Sequence, residues 1–168
     1  MQTIKIPKDI IKNMRKTPDD ELRKASEHLY YEIWMLNETV KISCPDNPVI
    51  NNCIIESFGI HARCIRDFLF NTSAGKDDVL AIDYFDNTQE WRQYINKKTA
   101  ALNKINKIRR VNKELVHLTY TRTDIKPDEK GWEKEEIVKE INALFKQFLK
   151  RVPKGRICDM LISFEKAI

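Results

Sequence analysis

Arg110 and His117 lie seven positions apart in the stretch Arg110-Val111-Asn112-Lys113-Glu114-Leu115-Val116-His117. At about 100° per residue a helix returns both side chains to nearly one azimuth, about 10 Å apart along its axis. The imidazole can move protons near neutral pH, since its unperturbed pKa is about 6.5. The guanidinium offers a planar fork that stabilises charge on a phosphate. The same stretch closes a basic run in which Lys97, Lys98, Lys104, Lys107, Arg109, Arg110 and Lys113 occur with no acidic residue among them. Phosphate contacts from such a run give binding that is salt-dependent and largely indifferent to sequence. Its structural alternative is pairing with Glu133, Glu135, Glu136 and Glu140, or plain solvation.

Other chemistry-bearing residues read more simply. His61 falls inside the apolar stripe of its helix and Asn112 on the core side of its own, so they form a structural polar core. An unpartnered buried imidazole or amide costs about 1–3 kcal/mol, which predicts hydrogen-bond partners for both: each other, or Thr119. Asp77, Asp78 and Asp83 suit caps of a short segment better than a hard metal ion. Cys44, Cys53, Cys64 and Cys158 form no CxxC pair, which points to reduced thiols and to no metal. Cys64, one turn after His61, reads as a small apolar residue on the flank of the stripe. Phosphate-loop, dinucleotide, zincin and nucleophile-elbow motifs are absent, and no cofactor is expected.

The elements that position these residues are helices. Thr17 as N-cap, Pro18 at the first helical position and Asp19 and Asp20 near the dipole's positive end predict a helix to about Ser43. Its buried face carries Leu22, Ala25, Leu29, Ile33, Leu36 and Val40. A second helix spans about 48–71 with Ile50, Ile54, Phe58, Ile65 and Phe68 buried. The stretch 88–121 contains neither Gly nor Pro and predicts the longest helix, with Trp91, Tyr94, Ala101, Ile105, Ile108, Leu115 and Val116 in register. On that helix Arg110 and His117 face away from the Ile105, Ile108 and Leu115 stripe, alongside Asn103, Asn106 and Glu114. Ile137, Ile141, Leu144, Phe148 and Val152 mark a fourth helix, and 157–164 adds a short terminal one. Trp34, Trp91 and Trp132 are expected to be packing groups.

Only 4 Gly in 168 residues, with 42% hydrophobic and 33% charged residues, fits long helices and excludes disorder and hairpin-rich folds. The expectation is a single all-α domain over 1–168, an antiparallel up-and-down four-helix bundle with a short extra C-terminal helix. No window approaches the ~20 apolar residues of a membrane span, and no secretory signal is visible, so a cytoplasmic protein without membrane association is expected. A net charge of +5 proves no nucleic-acid partner by itself.

The Arg110–His117 stretch, on the third long helix of such a bundle, resembles the HEPN superfamily, whose signature is an Arg followed after four to six residues by a His. Arg110 has six residues before His117; Arg109 has seven and sits about 80° away. The resemblance implies RNA binding by a homodimer whose Arg and His meet at the interface and, in the active branches, metal-independent endoribonuclease activity. His117 would then be the general acid–base at a ribose 2′-hydroxyl, Arg110 would stabilise the attacked phosphate, and Lys107, Arg109, Lys113 and Arg122 would hold the flanking RNA. Bacterial members often serve in toxin–antitoxin pairs or phage defence, which implies an inhibitory partner protein. Val111 stands where active members commonly carry Asn, Asp or His. A non-catalytic helical module for binding or dimerisation is the alternative.

Overall fold

The computed structural model describes residues 17–71, 75, 77–98, 101, 103, 105, 110–111, 114–115, 119–126 and 131–166. These are helical with no strand among them. The regular helices are α1 (Asp19–Thr39), α2 (Pro48–Phe70), α3 (Thr88–Asn96), α4 (Lys134–Arg151) and α5 (Asp159–Phe164), with short 3-10 turns at Ala81–Tyr84, Tyr120–Asp124 and Lys154–Arg156. No helix among the described residues is long and apolar enough to cross a membrane.

Helix α1 starts one residue later than its Thr17-Pro18 signal predicts, with Pro18 itself at the N-cap and no side chain capping it. It ends at Thr39, four residues short of Ser43. Its buried face includes Ser26 and Thr39 in place of Ala25 and Val40. Both hydroxyls donate within their own helix, Ser26 Oγ to Arg23 O at 2.6 Å and Thr39 Oγ1 to Met35 O at 2.8 Å, so burial leaves neither unsatisfied. Helix α2 begins as expected, with Pro48 in the first turn and Asn47 accepting from the Val49 and Ile50 amides. Ile50, expected in the core, is 48% exposed. Helices α1 and α2 fold back on each other as a hairpin, and α4 lies antiparallel to α1. Asn37 and Asn142 exchange amide hydrogen bonds at 2.7 and 3.1 Å between those two helices.

The predicted stripe of α4 is buried in full: Ile137, Ile141, Leu144, Phe148 and Val152. Phe148 sits among aromatic rings, edge-on to Phe68, Tyr84, Phe85 and Trp91 at centroid distances of 5.0–6.0 Å. The polar ends of this cluster are satisfied, since Trp91 Nε1 donates to Leu69 O at 2.8 Å and Tyr84 Oη to Leu22 O at 3.1 Å. Behind it, buried Arg156 binds Asp19, Asp86 and the Tyr84 carbonyl, which ties the start of α1 to the 3-10 turn and the chain after α4.

The long helix expected over 88–121 is interrupted. Helix α3 stops at Asn96, where the Lys97 and Lys98 amides bond back to Tyr94 O and Ile95 O as a turn. Helical geometry resumes at Ala101, Asn103, Ile105, Arg110 and Val111, and Glu114 and Leu115 lie in a wider π-turn. No Gly or Pro marks this break, so propensity does not reveal it. Gly59 sets how closely that segment approaches α2. A Cβ there would lie 2.7 Å from Leu115 Cδ1 and 3.2 Å from Val111 Cγ2. Val111 is fully buried against this glycine, which accounts for an apolar residue directly after Arg110.

Candidate functional site

Arg110 is half-buried, its side chain 28% exposed. Its Nε donates to Glu114 Oε1 at 2.5 Å and its Nη2 to Glu114 Oε2 at 2.9 Å. The spacing i,i+4 on a helix brings these side chains together, and the fork-to-carboxylate geometry is the strong bidentate form. The guanidinium also lies over Trp132, 5.2 Å from the ring centroid, a cation–π contact to the stretch just before α4. Trp132 is thus a loop residue, not a helical one, and its packing partner is the candidate catalytic arginine. Arg110 faces away from the core, as its azimuth predicts, but its charge is answered locally.

Of the other residues singled out for RNA, Arg122 lies half-buried in the Tyr120–Asp124 turn. Lys107, Arg109, Asn112, Lys113 and His117 lie outside the described residues. Beside Arg122, Tyr120 is 93% exposed, an aromatic surface that helical periodicity could not single out because it belongs to an irregular turn. Glu114 and Trp132, which orient Arg110, were visible only as a neighbour on the helix face and as a generic packing group.

His61 is buried and bonded, but to Glu32 of α1 and not to Thr119. Its Nδ1 lies 2.7 Å from Glu32 Oε2, and with an ionised carboxylate as acceptor the ring nitrogen is the donor. Tyr31 packs edge-on against the same ring at 5.6 Å. Cys64 shares Glu32, and the thiol pKa is pushed up from 9.0 to about 11 by partial burial first and by the Glu32 charge and hydrogen bond second. The folded pKa is raised, so this arrangement's contribution to stability is complete below pH 9 and is lost as the pH rises through about 11. Cys53 and Cys64 are both exposed, so the raised pKa alone should make Cys64 alkylate more slowly than Cys53 at neutral pH. Glu32→Gln should accelerate it; peptide mass spectrometry giving equal rates for Cys53 and Cys64 would contradict this environment.

Trp91 is a packing group as expected, whereas Trp34 is 41% exposed and stands beside exposed Tyr31. Of the three aspartates expected to cap, Asp83 caps the Ala81–Tyr84 turn and Asp78 instead closes a turn at Gly75. Asp78 Oδ2 accepts from the Gly75 amide at 2.8 Å, and Asp83 Oδ2 accepts from the Leu80 amide at 2.8 Å. Burial raises the Asp83 pKa, and the Leu80 hydrogen bond opposes that rise. Among the described residues no group of three or more His, Cys, Asp or Glu side chains is arranged to hold a metal ion.

No family model matches the chain, and comparison with curated proteins and with solved structures returns no match.

Proposed function

We propose that the chain is a HEPN-like RNA-binding protein, an up-and-down helical bundle acting as a homodimer, with metal-independent RNA cleavage centred on Arg110 and His117. The observation that carries this reading is the mounting of Arg110. Glu114 and Trp132 hold its guanidinium in one orientation at the surface, on the face the sequence assigns to His117. A fork held in place loses less side-chain entropy on meeting a phosphate than a free one. Val111 behind it is turned into the core, so the arginine and the buried side of its helix have separate tasks. In this reading His117 removes or supplies the proton at a ribose 2′-hydroxyl, and Arg110 stabilises the charge on the attacked phosphate. Inhibition by a partner protein, as in toxin–antitoxin or phage-defence systems, follows from the resemblance alone.

The Glu114 carboxylate supports a second reading, a non-catalytic module in which the ion pair and the Trp132 contact only brace the packing around Arg110. Binding of a labelled single-stranded RNA separates the two. In the first reading Arg110→Ala weakens binding roughly tenfold, Arg110→Lys restores part of it, and Trp132→Leu weakens it by loosening the mounted fork. In the second, all three variants lower the melting temperature and leave RNA affinity unchanged. A strictly monomeric wild type in sedimentation would remove the shared dimer site.

A further inference from the structure

The break after α3 has a consequence for charge. It lets the C-terminal ends of α3 and α4 meet around one ring, that of half-exposed Tyr94. Arg151, in the last turn of α4, places its guanidinium carbon 4.2 Å from the Tyr94 centroid, and Lys98 Nζ stands 5.1 Å from the same centroid. Lys97 and Lys150, each adjacent in sequence to one of these cations, are exposed. Arg151 is anchored by neutral groups only, with Nη1 donating to Gln147 O at 2.9 Å and to Gln147 Oε1 at 2.6 Å.

These four cations share one end of the helix pair, two of them on one ring, and none has a carboxylate partner among the described residues. Arg23, Lys41, Arg63, Arg66, Arg110, Lys154 and Arg156 each face an Asp or Glu within ion-pair distance. Lys97, Lys98, Lys150 and Arg151 face none, and Glu90, the only carboxylate of α3, lies two turns before Lys97 and pairs with none of them. Four positive charges are thus gathered at one end of the helix pair with no carboxylate beside them among the described residues. Part of that charge offsets the partial negative ends of two helices, a smaller requirement than four cations and one that calls for no aromatic ring.

We propose that Lys98 and Arg151, which flank Tyr94, and exposed Lys97 and Lys150 next to them in sequence form a binding surface for single-stranded RNA, separate from the Arg110 site. Backbone phosphates bind the four cations, while Tyr94, packed against Trp91 with ring centroids 5.2 Å apart, fixes where Arg151 and Lys98 stand. The ring and the Gln147 anchor preorganise Arg151, while the lysines contact the backbone as point charges. The surface was half visible in the basic run after Asn96; the contribution of α4 comes only from the fold. This inference rests on the RNA reading, with Arg110 positioning the reacting phosphate and this surface holding the strand away from it.

The test compares wild type, Lys97→Gln/Lys98→Gln/Lys150→Gln, and Arg110→Ala. Each is titrated into a labelled oligouridylate across a salt series, with melting curves to confirm folding. The triple variant is expected to bind on the order of tenfold more weakly and to reduce the slope of log affinity against log salt by about 2, whereas Arg110→Ala reduces it by about 1 at most. Arg151→Gln, made separately, should act in the same direction. Wild-type binding with an unchanged affinity and slope in the triple variant overturns this surface and leaves the RNA reading standing. A lower melting temperature with unchanged RNA binding assigns the cations to the helix ends alone and overturns it too. Absence of wild-type RNA binding, or binding only to vesicles rich in anionic phospholipid, overturns both.

Discussion

Phe148→Ala should lower the stability of the protein by about 3–5 kcal/mol, the range for removing a fully buried phenylalanine from a packed core. Its ring touches Phe68, Tyr84, Phe85, Trp91 and Phe145. These partners come from α2, the Ala81–Phe85 region, α3 and α4 itself, so no single element can relax to fill the space left behind. The edge-on geometry adds about 0.5–1.5 kcal/mol per favourable pair beyond area burial, though not additively. Against a typical total of 5–15 kcal/mol this is a large fraction, and urea unfolding should show it as a lower midpoint. Phe148→Leu, which keeps most of the volume, should cost less than half as much. A loss below about 1 kcal/mol for the alanine variant would contradict Phe148 as the centre of the core.

The α4 stripe and the helical class were legible because they depend on periodicity, which a buried helix face imposes on every turn. The interruption after Asn96 was not. Apolar register continues across it from Trp91 to Ile105, and a turn at Lys97 and Lys98 disturbs no residue type. The partner of His61 was legible as a need but not as an identity. Burial demands a hydrogen bond, yet nothing local says that Glu32, 29 positions earlier, supplies it. Arg110 was legible as an outward residue from its azimuth. Its engagement with Trp132 is a contact distant in sequence, and close packing of Val111 and Leu115 against Gly59 fixes where Arg110 stands.

His117→Ala should abolish RNA cleavage to within background, a loss of about 10²–10⁴-fold, the contribution of a positioned general acid–base. Arg110→Ala should cost about 10²–10³-fold, the range for removing one preorganised stabiliser of transition-state charge. Because the two act on one transition state, the double variant should be little worse than His117→Ala. The most direct measurement of the central claim is therefore cleavage of a labelled RNA in EDTA by the wild type, Arg110→Ala and His117→Ala, each shown by melting to be folded. An active wild type and two inactive, RNA-binding variants are expected. A wild type, purified free of any partner protein, that leaves RNA intact, or a His117→Ala variant that cuts as fast as wild type, would contradict it.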